Sequence, residues 1–163
     1  MPNQTNVKAK LSKLTQLLAL CLLLLLTGIF WGDWFSISRS FEVFSLAEYI
    51  HIAKTINQNL EIPMRFISIS SIVFMSLSVG LNSRKGSTEF YIGITSIVFI
   101  LIALLITLVV EVPINNQIIL WTQATAPLNW ESIRDRWQLF NILRTVAALA
   151  GFGFFATFIT MPF

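Results

Sequence analysis

The amino-acid sequence predicts an all-α fold: an integral membrane four-helix bundle with a short extra-membrane helix between spans one and two. Composition is the first reason, because 55% of the 163 residues are apolar and only 12% are charged. A soluble domain of this length needs far more charge to keep its surface hydrated. The second reason is that apolar residues occur in long blocks rather than at amphipathic spacing, which is typical of helices surrounded by lipid.

Four apolar blocks are long enough to cross a bilayer, whose hydrocarbon core requires about 20 residues of helix. These predicted spans are residues 14–31, 63–81, 90–112 and 139–161. We expect the whole chain, 1–163, to form a single membrane domain, with its two longer connections at 32–62 and 113–138. The first block follows several lysines, as a signal peptide would, but its apolar run is too long and no small-residue cleavage site follows. We therefore expect a retained helix.

The connection 32–62 contains the start signal of a helix. Ser45-Leu46-Ala47-Glu48 is a capping box, in which the serine and glutamate side chains bond the first free amides of a helix. Apolar residues then recur at helical spacing as far as Leu60. We predict a short helix over residues 46–59 that lies on the membrane surface or across the mouth of the bundle. A second span then opens at Pro63, where the missing amide costs nothing.

Basic residues predict the orientation of the bundle. The amino-terminal tail holds three lysines, and the short connection 82–88 holds Arg84 and Lys85, so both lie on one side if the helices alternate. The positive-inside rule places that side, and with it both termini, in the cytoplasm. All five tryptophans fall on the opposite side: Trp31, Trp34, Trp121, Trp130 and Trp137. We expect a tryptophan-rich cap there, with Trp31 and Trp137 as interface anchors.

Charge and motif content exclude several classes of function. In so apolar a chain, the net charge of +3 indicates how the helices are oriented in the membrane before it indicates nucleic-acid binding. No nucleic-acid-binding module is present in the sequence. We therefore expect the lipid bilayer, and no nucleic acid, as a partner. Cys21 is the only cysteine, which excludes a disulfide within the chain, and His51 is the only histidine. No haem, nucleotide or zinc motif occurs, so we expect no cofactor and no metal site.

Two ionisable residues lie at or within the apolar spans. Arg144 follows Trp137 by seven residues, which places it roughly 10 Å deeper along the fourth span, and Glu111 ends the third span. A charge at that depth is costly, so Arg144 should face the bundle and pair with Glu111. Arg134, Trp137, Asn141 and Arg144 share one helical face. The pair is either an ion pair that fixes the register of two spans or a site for an anion or a substrate oxygen.

His51 is a candidate general base, because histidine alone has an unperturbed pKa near neutrality. On the predicted surface helix it shares a face with Lys54 and Gln58. The alternative is a histidine exposed on a polar helix face, with no catalytic role.

The carboxyl-terminal third resembles a known family. It contains Glu111-Val112-Pro113-Ile114-Asn115-Asn116, then Arg134-x-Arg136-Trp137 and Asn141-x-x-Arg144-Thr145. This pattern is similar to that of a family of small four-span membrane proteins that includes the fungal and bacterial anthrone oxygenases. The resemblance implies oxidation of a polycyclic anthrone to an anthraquinone by O₂, without an obvious bound cofactor.

Such a reaction needs a base to form a carbanion and donors to hold the resulting oxyanion. His51 or Glu111 would supply the base, with Arg144 as a donor, and these three residues form the candidate catalytic set. Aromatic walls and further polar groups would hold a flat hydrophobic substrate. The candidate substrate-binding residues are Asn115, Asn116, Trp121, Trp130, Arg134, Trp137 and Asn141.

Other functions fit the same spans. A non-catalytic membrane protein could bind a lipid, or serve as a subunit of a homo-oligomer or of a larger membrane complex. A small transporter fits less well, because the sequence has one buried ion pair and no pair of interrupted helices. A tryptophan-lined cavity that reaches Arg144 would favour a ligand site, whereas a solid core would favour scaffolding.

Overall fold

The structure is a computed structural model that describes residues 4–161, and it is helical over most of that range. Its helices are α1 (Gln4–Gly32), α2 (Leu46–Asn82), α3 (Thr88–Ile106), α4 (Val112–Leu120) and α5 (Trp130–Thr160). A π-helical turn (Asp33–Ile37) and a 3₁₀ segment (Ser38–Val43) follow α1, and a second π-helical turn (Thr107–Glu111) joins α3 to α4. The described residues contain no strand. The predicted all-α fold is confirmed.

Four helical stretches of the described chain are long and apolar enough to cross a membrane: 6–43, 46–82, 88–120 and 130–160. Each contains one predicted span, except that Met161 lies one residue beyond the last helix. The apolar runs therefore predicted the spans correctly. Which side of the membrane the termini occupy stays a prediction, and so does the expectation that the whole chain forms a single domain. We call the end of the bundle that holds the tryptophans the tryptophan end, and the opposite end the lysine end.

The predicted surface helix and the second span form one continuous helix, α2, of 37 residues. The capping box at its start is present: the Ser45 side chain accepts from the Glu48 amide, and the Glu48 carboxylate accepts from the Ser45 amide. Pro63 lies inside α2 and does not open a new helix. A proline removes one backbone hydrogen bond, and Asn59, whose carbonyl loses that partner, is exposed. One lost bond at an exposed turn is therefore compatible with an unbroken helix.

Two apolar clusters hold the bundle together. The inner cluster lies toward the lysine end, around Leu23, Met75, Ile100 and Phe155. The outer cluster lies at the tryptophan end, and its buried members are Phe41, Tyr49, Ile50, Val110, Ile114, Ile118, Trp121 and Trp137. Trp137 is thus buried within the protein and is not the interface anchor expected from the sequence, whereas Trp31 is exposed.

Helix α2 meets its neighbours α3 and α4 near its two ends. Toward the lysine end, a Cβ added to Gly93 of α3 would lie 2.6 Å from Cγ2 of Val79, so the two helices are in close contact there. At the tryptophan end, Tyr49 and Ile50 share the outer cluster with Ile118 of α4. Between these contacts the helices enclose a cavity, and the candidate site lies in it.

Candidate functional site

Three charged side chains from different parts of the chain meet inside the bundle; we call Asp33, Glu111 and Arg144 the charged cluster. Arg144 Nη1 forms an ion pair with Oε2 of Glu111, and Arg144 Nη2 lies 3.6 Å from Oδ2 of Asp33. The residues are only 8%, 1% and 8% exposed, in sequence order. The ion pair between Glu111 and Arg144 predicted from the sequence is therefore present, with a second carboxylate beside it.

Asn141 connects the members of the charged cluster. Its Nδ2 donates to Oδ2 of Asp33 at 3.0 Å, and its Oδ1 accepts from Nη2 of Arg144 at 2.6 Å. The Thr145 hydroxyl donates to the Asn141 carbonyl at 2.7 Å. The Arg144 guanidinium also lies 4.2 Å from the centroid of the Phe30 ring, a cation–π contact. The guanidinium is therefore held in one orientation from three sides.

Both carboxylates of the charged cluster belong to π-helical turns. Asp33 is the first residue of one turn, whose carbonyl accepts from the Ser38 amide five residues later. Glu111 is the last residue of the other turn, in which the Val112 amide donates to the Thr107 carbonyl. π-Helical turns are rare and often occur at functional sites. Because Glu111 ends its turn, that turn changes the rotation of the Glu111 carboxylate relative to α3.

Several polar atoms of the site have no hydrogen-bond partner among the described residues. They are buried, and comprise Oδ1 of Asp33, Oε1 of Glu111, Nε of Arg144 and Nε1 of Trp137. Buried polar groups in proteins are nearly always bonded, so a group of four invites an explanation. The two free acceptors and one free donor belong to the charged cluster, and the second donor, on Trp137, lies two helical turns away on α5. Such a set is suited to a ligand that both donates and accepts.

These side chains line a cavity of about 510 Å³ between α1, α2, the α3–α4 stretch and α5. Its size falls within the range of about 300–1,000 Å³ that is usual for small-molecule sites. Asp33, Glu111, Arg144 and Trp137 all line it. The remaining walls are mainly apolar and include the aromatic rings of Phe30, Phe41 and Tyr49.

A model of the anthrone oxygenase family matches residues 56–154, which is more than half of the chain. The chain belongs to the anthrone oxygenase family. The matched region contains Glu111, Asn141 and Arg144, whereas Asp33 and His51 precede it. A search of curated proteins and a search of solved structures each gave no match to this chain.

In this member of the anthrone oxygenase family, some predicted substrate-binding residues lie at the cavity. Asn115, Asn116 and Trp137 line it, with both asparagines provided by α4. Asn141 is fully buried and contacts the cavity residues Asp33 and Arg144 through its amide. The structure thus brings these four residues together around the charged cluster.

The other predicted substrate-binding residues do not line the cavity. Trp121 is buried in the outer cluster, and its carbonyl accepts from Nζ of Lys54 at 2.7 Å. Trp130 packs on Tyr49 with ring centroids 5.5 Å apart, and Arg134 lies over the Trp130 ring. These residues therefore belong to the cap at the tryptophan end, because they pack around Tyr49 and do not line the cavity.

His51 also lies apart from the charged cluster. Its side chain is exposed and borders a second, smaller pocket with Lys54 and Trp121, and it is not among the described residues that line the main cavity. Its role as a general base stays a prediction, and the structure offers Glu111 as the alternative that touches the cavity.

Asp33 is the member of the charged cluster that the sequence did not predict. It follows Trp31 and Gly32 and was assigned to a connection, but the first helix continues into it through the π-helical turn. A signal is present in the sequence, because the buried apolar residues of α1 are Ala19, Leu23, Leu26 and Phe30, and the same alternation of four and three residues reaches Asp33. Four residues of α2 also line the cavity without having been predicted as site residues: Asn57, Glu61, Arg65 and Ser68.

The described residues contain no group of three or more histidine, cysteine, aspartate or glutamate side chains that could hold a metal ion. In this family member the two carboxylates of the charged cluster both face a guanidinium instead. Carboxylates placed beside a guanidinium can accept protons and can pair with cations.

Proposed function

We propose that this chain is a membrane enzyme that oxidises a hydrophobic aromatic or quinone-like molecule with O₂ in the cavity beside the charged cluster. Membership of the anthrone oxygenase family supports the class of reaction. The observation that carries the proposal is the free Oε1 of Glu111, buried at a cavity wall next to the Arg144 guanidinium. A base and a cation thus lie side by side where a flat apolar molecule fits.

The charge balance of the cluster favours a base. Asp33 and Glu111 supply two carboxylates against the single guanidinium of Arg144, so one negative charge is in excess when all three are ionised. An uncompensated charge is costly inside a membrane bundle. Accepting one proton removes the excess, so the cluster is suited to taking a proton from a weakly acidic C–H group.

With an anthrone as the substrate, the reaction balances with O₂ as the only oxidant. The carboxylate removes a proton from the methylene carbon between the two aromatic rings, and the electron pair spreads onto the ketone oxygen. That oxyanion would be stabilised by the guanidinium of Arg144 and a neighbouring amide such as that of Asn115. The carbanion then forms a C–O bond with O₂, and the peroxide takes up a proton. Cleavage of its O–O bond with loss of the second C–H proton gives the quinone carbonyl and one water.

A non-catalytic lipid-binding protein remains the second candidate. The observation in its favour is that the cavity wall includes Ile69 and Leu108, which are 62% and 56% exposed on surfaces that face lipid in a membrane. A bound lipid would occupy the cavity without any need for the free oxygen of Glu111. Turnover therefore separates the two candidates.

The test is anthrone oxidation by the full chain in lipid nanodiscs, followed as O₂ consumption and anthraquinone absorbance. Glu111→Gln and Asp33→Asn remove the two carboxylates one at a time, and Glu42→Gln is the matched control on an exposed glutamate. Loss of a positioned general base lowers a rate by about 10²–10⁴-fold. We expect such a loss in Glu111→Gln and none in Glu42→Gln. Turnover no faster than in empty nanodiscs, or unchanged in both carboxylate variants, would overturn the proposal.

A further inference from the structure

The cavity continues well past the charged cluster toward the lysine end. On the α3 side its wall runs from Glu111 back to Ile100, eleven residues or about 16 Å along a helix. We call this part the lower cleft, and its lining residues include Leu26, Met64, Ile100, Ala103, Leu104 and Leu108. The hydroxyl of Thr107, which also lines it, donates to the Ala103 carbonyl at 3.0 Å and so does not offer a free donor. The lower cleft is therefore long and mainly apolar; its polar lining on α2 is Ser68 and Arg65, and Arg65 pairs with Glu61.

One side of the lower cleft faces the bilayer. Helix α2 touches α3 at Val79 and Gly93, and it meets α4 around Tyr49 and Ile118, and the lower cleft lies between these contacts. Ile69 of α2 and Leu108 are each more than half exposed while they also line the cavity. Both belong to stretches that cross the membrane, so the surrounding medium is acyl chain. A molecule dissolved in the bilayer can therefore enter sideways, without passing through water.

We propose that the substrate is an oxidisable aromatic or quinol-type ring carried on an aliphatic chain, with the chain lying in the lower cleft. The inference rests on the proposed function in placing the ring beside Arg144. A ring held there contacts Trp137 and Phe30 and leaves the 16 Å below it unfilled. An apolar group of chain-like shape fills that space, and it meets the lipid along the side of the cavity where Ile69 and Leu108 are exposed.

Ser68 gives a direct way to close the lower cleft. Its side chain lines the cavity from α2, at the level of Ile69, whereas Ser76 on the same helix is exposed and does not line it. Ser68→Phe therefore adds a ring inside the lower cleft, and Ser76→Phe adds the same ring on the lipid surface. Leu104→Phe adds bulk to the wall that α3 provides on the opposite side of the lower cleft. It serves as a second blocking variant if Ser68→Phe does not fold.

The experiment measures binding, not turnover, with the full chain in phosphatidylcholine nanodiscs. Two probes are used, p-benzoquinone carrying a decyl chain and the same ring carrying a methyl group, and quinone binding is followed by quenching of tryptophan fluorescence. Trp137 lines the cavity and reports on the ring. We expect Ser68→Phe to weaken binding of the decyl probe by about tenfold and to leave the methyl probe within about twofold, because overpacking affects only the chain. Ser76→Phe should change neither.

Each outcome decides the inference. Equal affinities of wild type and Ser68→Phe for the decyl probe, or equal losses for both probes, would show that no chain occupies the lower cleft. Arg144→Gln should weaken both probes, since it removes a ring contact. If the protein binds the decyl probe in this pattern but does not oxidise anthrone, the inference stands and the proposed reaction is rejected.

Discussion

Asn141 Nδ2 donates a 3.0 Å hydrogen bond to Oδ2 of Asp33, 108 positions earlier in the chain. The same amide accepts from Arg144, one helical turn away on α5. A neutral side chain thus ties the end of α1 to α5, while the ion pair of Arg144 ties α5 to Glu111. Three parts of the chain are fixed to each other at one depth of the bundle.

Replacing Asn141 should destabilise the protein. Asn141→Leu keeps the approximate size but leaves Asp33 and Arg144 each without one partner, at a cost of about 1–3 kcal/mol per group. We expect a lower midpoint of thermal unfolding, measured by circular dichroism in detergent. Asn129→Leu, at the exposed residue before α5, is the matched control. The Asn129 side chain makes no capping hydrogen bond, so this change should alter stability by less than about 0.5 kcal/mol. Equal midpoints for both variants would contradict the role given to Asn141.

Removal of Arg144 should cost more stability than removal of Glu111. Arg144→Gln leaves Asp33 and Glu111 facing each other without a cation, and breaking a buried pair in this way costs about 3–5 kcal/mol. Glu111→Gln leaves one carboxylate against one guanidinium, so the remaining charges still compensate. Unfolding in a series of denaturant concentrations measures both. A larger loss in Glu111→Gln than in Arg144→Gln would show that Asp33 does not compensate Arg144.

His51→Gln tests the two candidate bases against each other. Because His51 is exposed and borders a different pocket, we expect anthrone turnover to change by less than about twofold, against the 10²–10⁴-fold effect of a lost general base. Glu111→Gln in the same assay provides the comparison. A large loss in His51→Gln with full activity in Glu111→Gln would assign the base to the histidine.

Two glycines of α5 should respond in opposite ways to the same substitution. A Cβ at Gly151 would lie 2.8 Å from Cδ1 of the buried Ile100 and 3.2 Å from the carbonyl oxygen of Ser96, so Gly151→Ala forces α5 away from α3. The cost of such overpacking is about 1–3 kcal/mol.

The control is Gly153→Ala, because a Cβ at Gly153 meets nothing within 4 Å among the described residues. Alanine there should be neutral or add up to about 1 kcal/mol, since glycine weakens a helix interior. Thermal unfolding of both variants in one detergent gives the comparison. A lower midpoint in Gly153→Ala than in Gly151→Ala would contradict the close contact of α3 and α5.

Cysteine labelling should establish the orientation. The single native cysteine, Cys21, is first replaced by serine. Gln123→Cys and Lys85→Cys then place one thiol in an exposed position at each end of the bundle. The lysines of the amino-terminal tail and of connection 82–88 predict a cytoplasmic lysine end. A membrane-impermeant maleimide added to intact cells should therefore label Gln123→Cys and not Lys85→Cys; the reverse pattern would invert the topology.

The sequence predicted the features that depend on local composition. The hydrocarbon core requires long apolar runs, so the four spans could be predicted. Arg144 is a charged residue within such a run and therefore required a partner, and Glu111 was the predicted one. Asp33 was not recognised, because after Trp31 and Gly32 it resembles the start of a connection. The spacing of four and three residues that leads from Ala19 to Phe30 does reach Asp33, but the predicted connection 32–62 begins before it.

The cavity could not be predicted because it depends on how far apart two helices run. Pro63 suggested a break between a surface helix and a span, and a continuous α2 that diverges from α3 between Tyr49 and Val79 was not foreseen. Trp130 and Arg134 were expected near a substrate because of their residue types, but they pack on Tyr49 and on each other. Residue type predicts what a side chain can do, whereas the angle between helices decides where it does it.

Each π-helical turn holds one residue more than an α-helical turn would need at the same place. Removing a single residue from Thr107–Glu111 would let the helix close in the α form and turn one flank by about 100° relative to the other. The carboxylate of Glu111 would then swing from the guanidinium toward lipid, while the length of the span would shrink by only about 1.5 Å. A single-codon insertion or deletion is therefore enough to create or abolish the ion pair between Glu111 and Arg144 without disturbing membrane insertion.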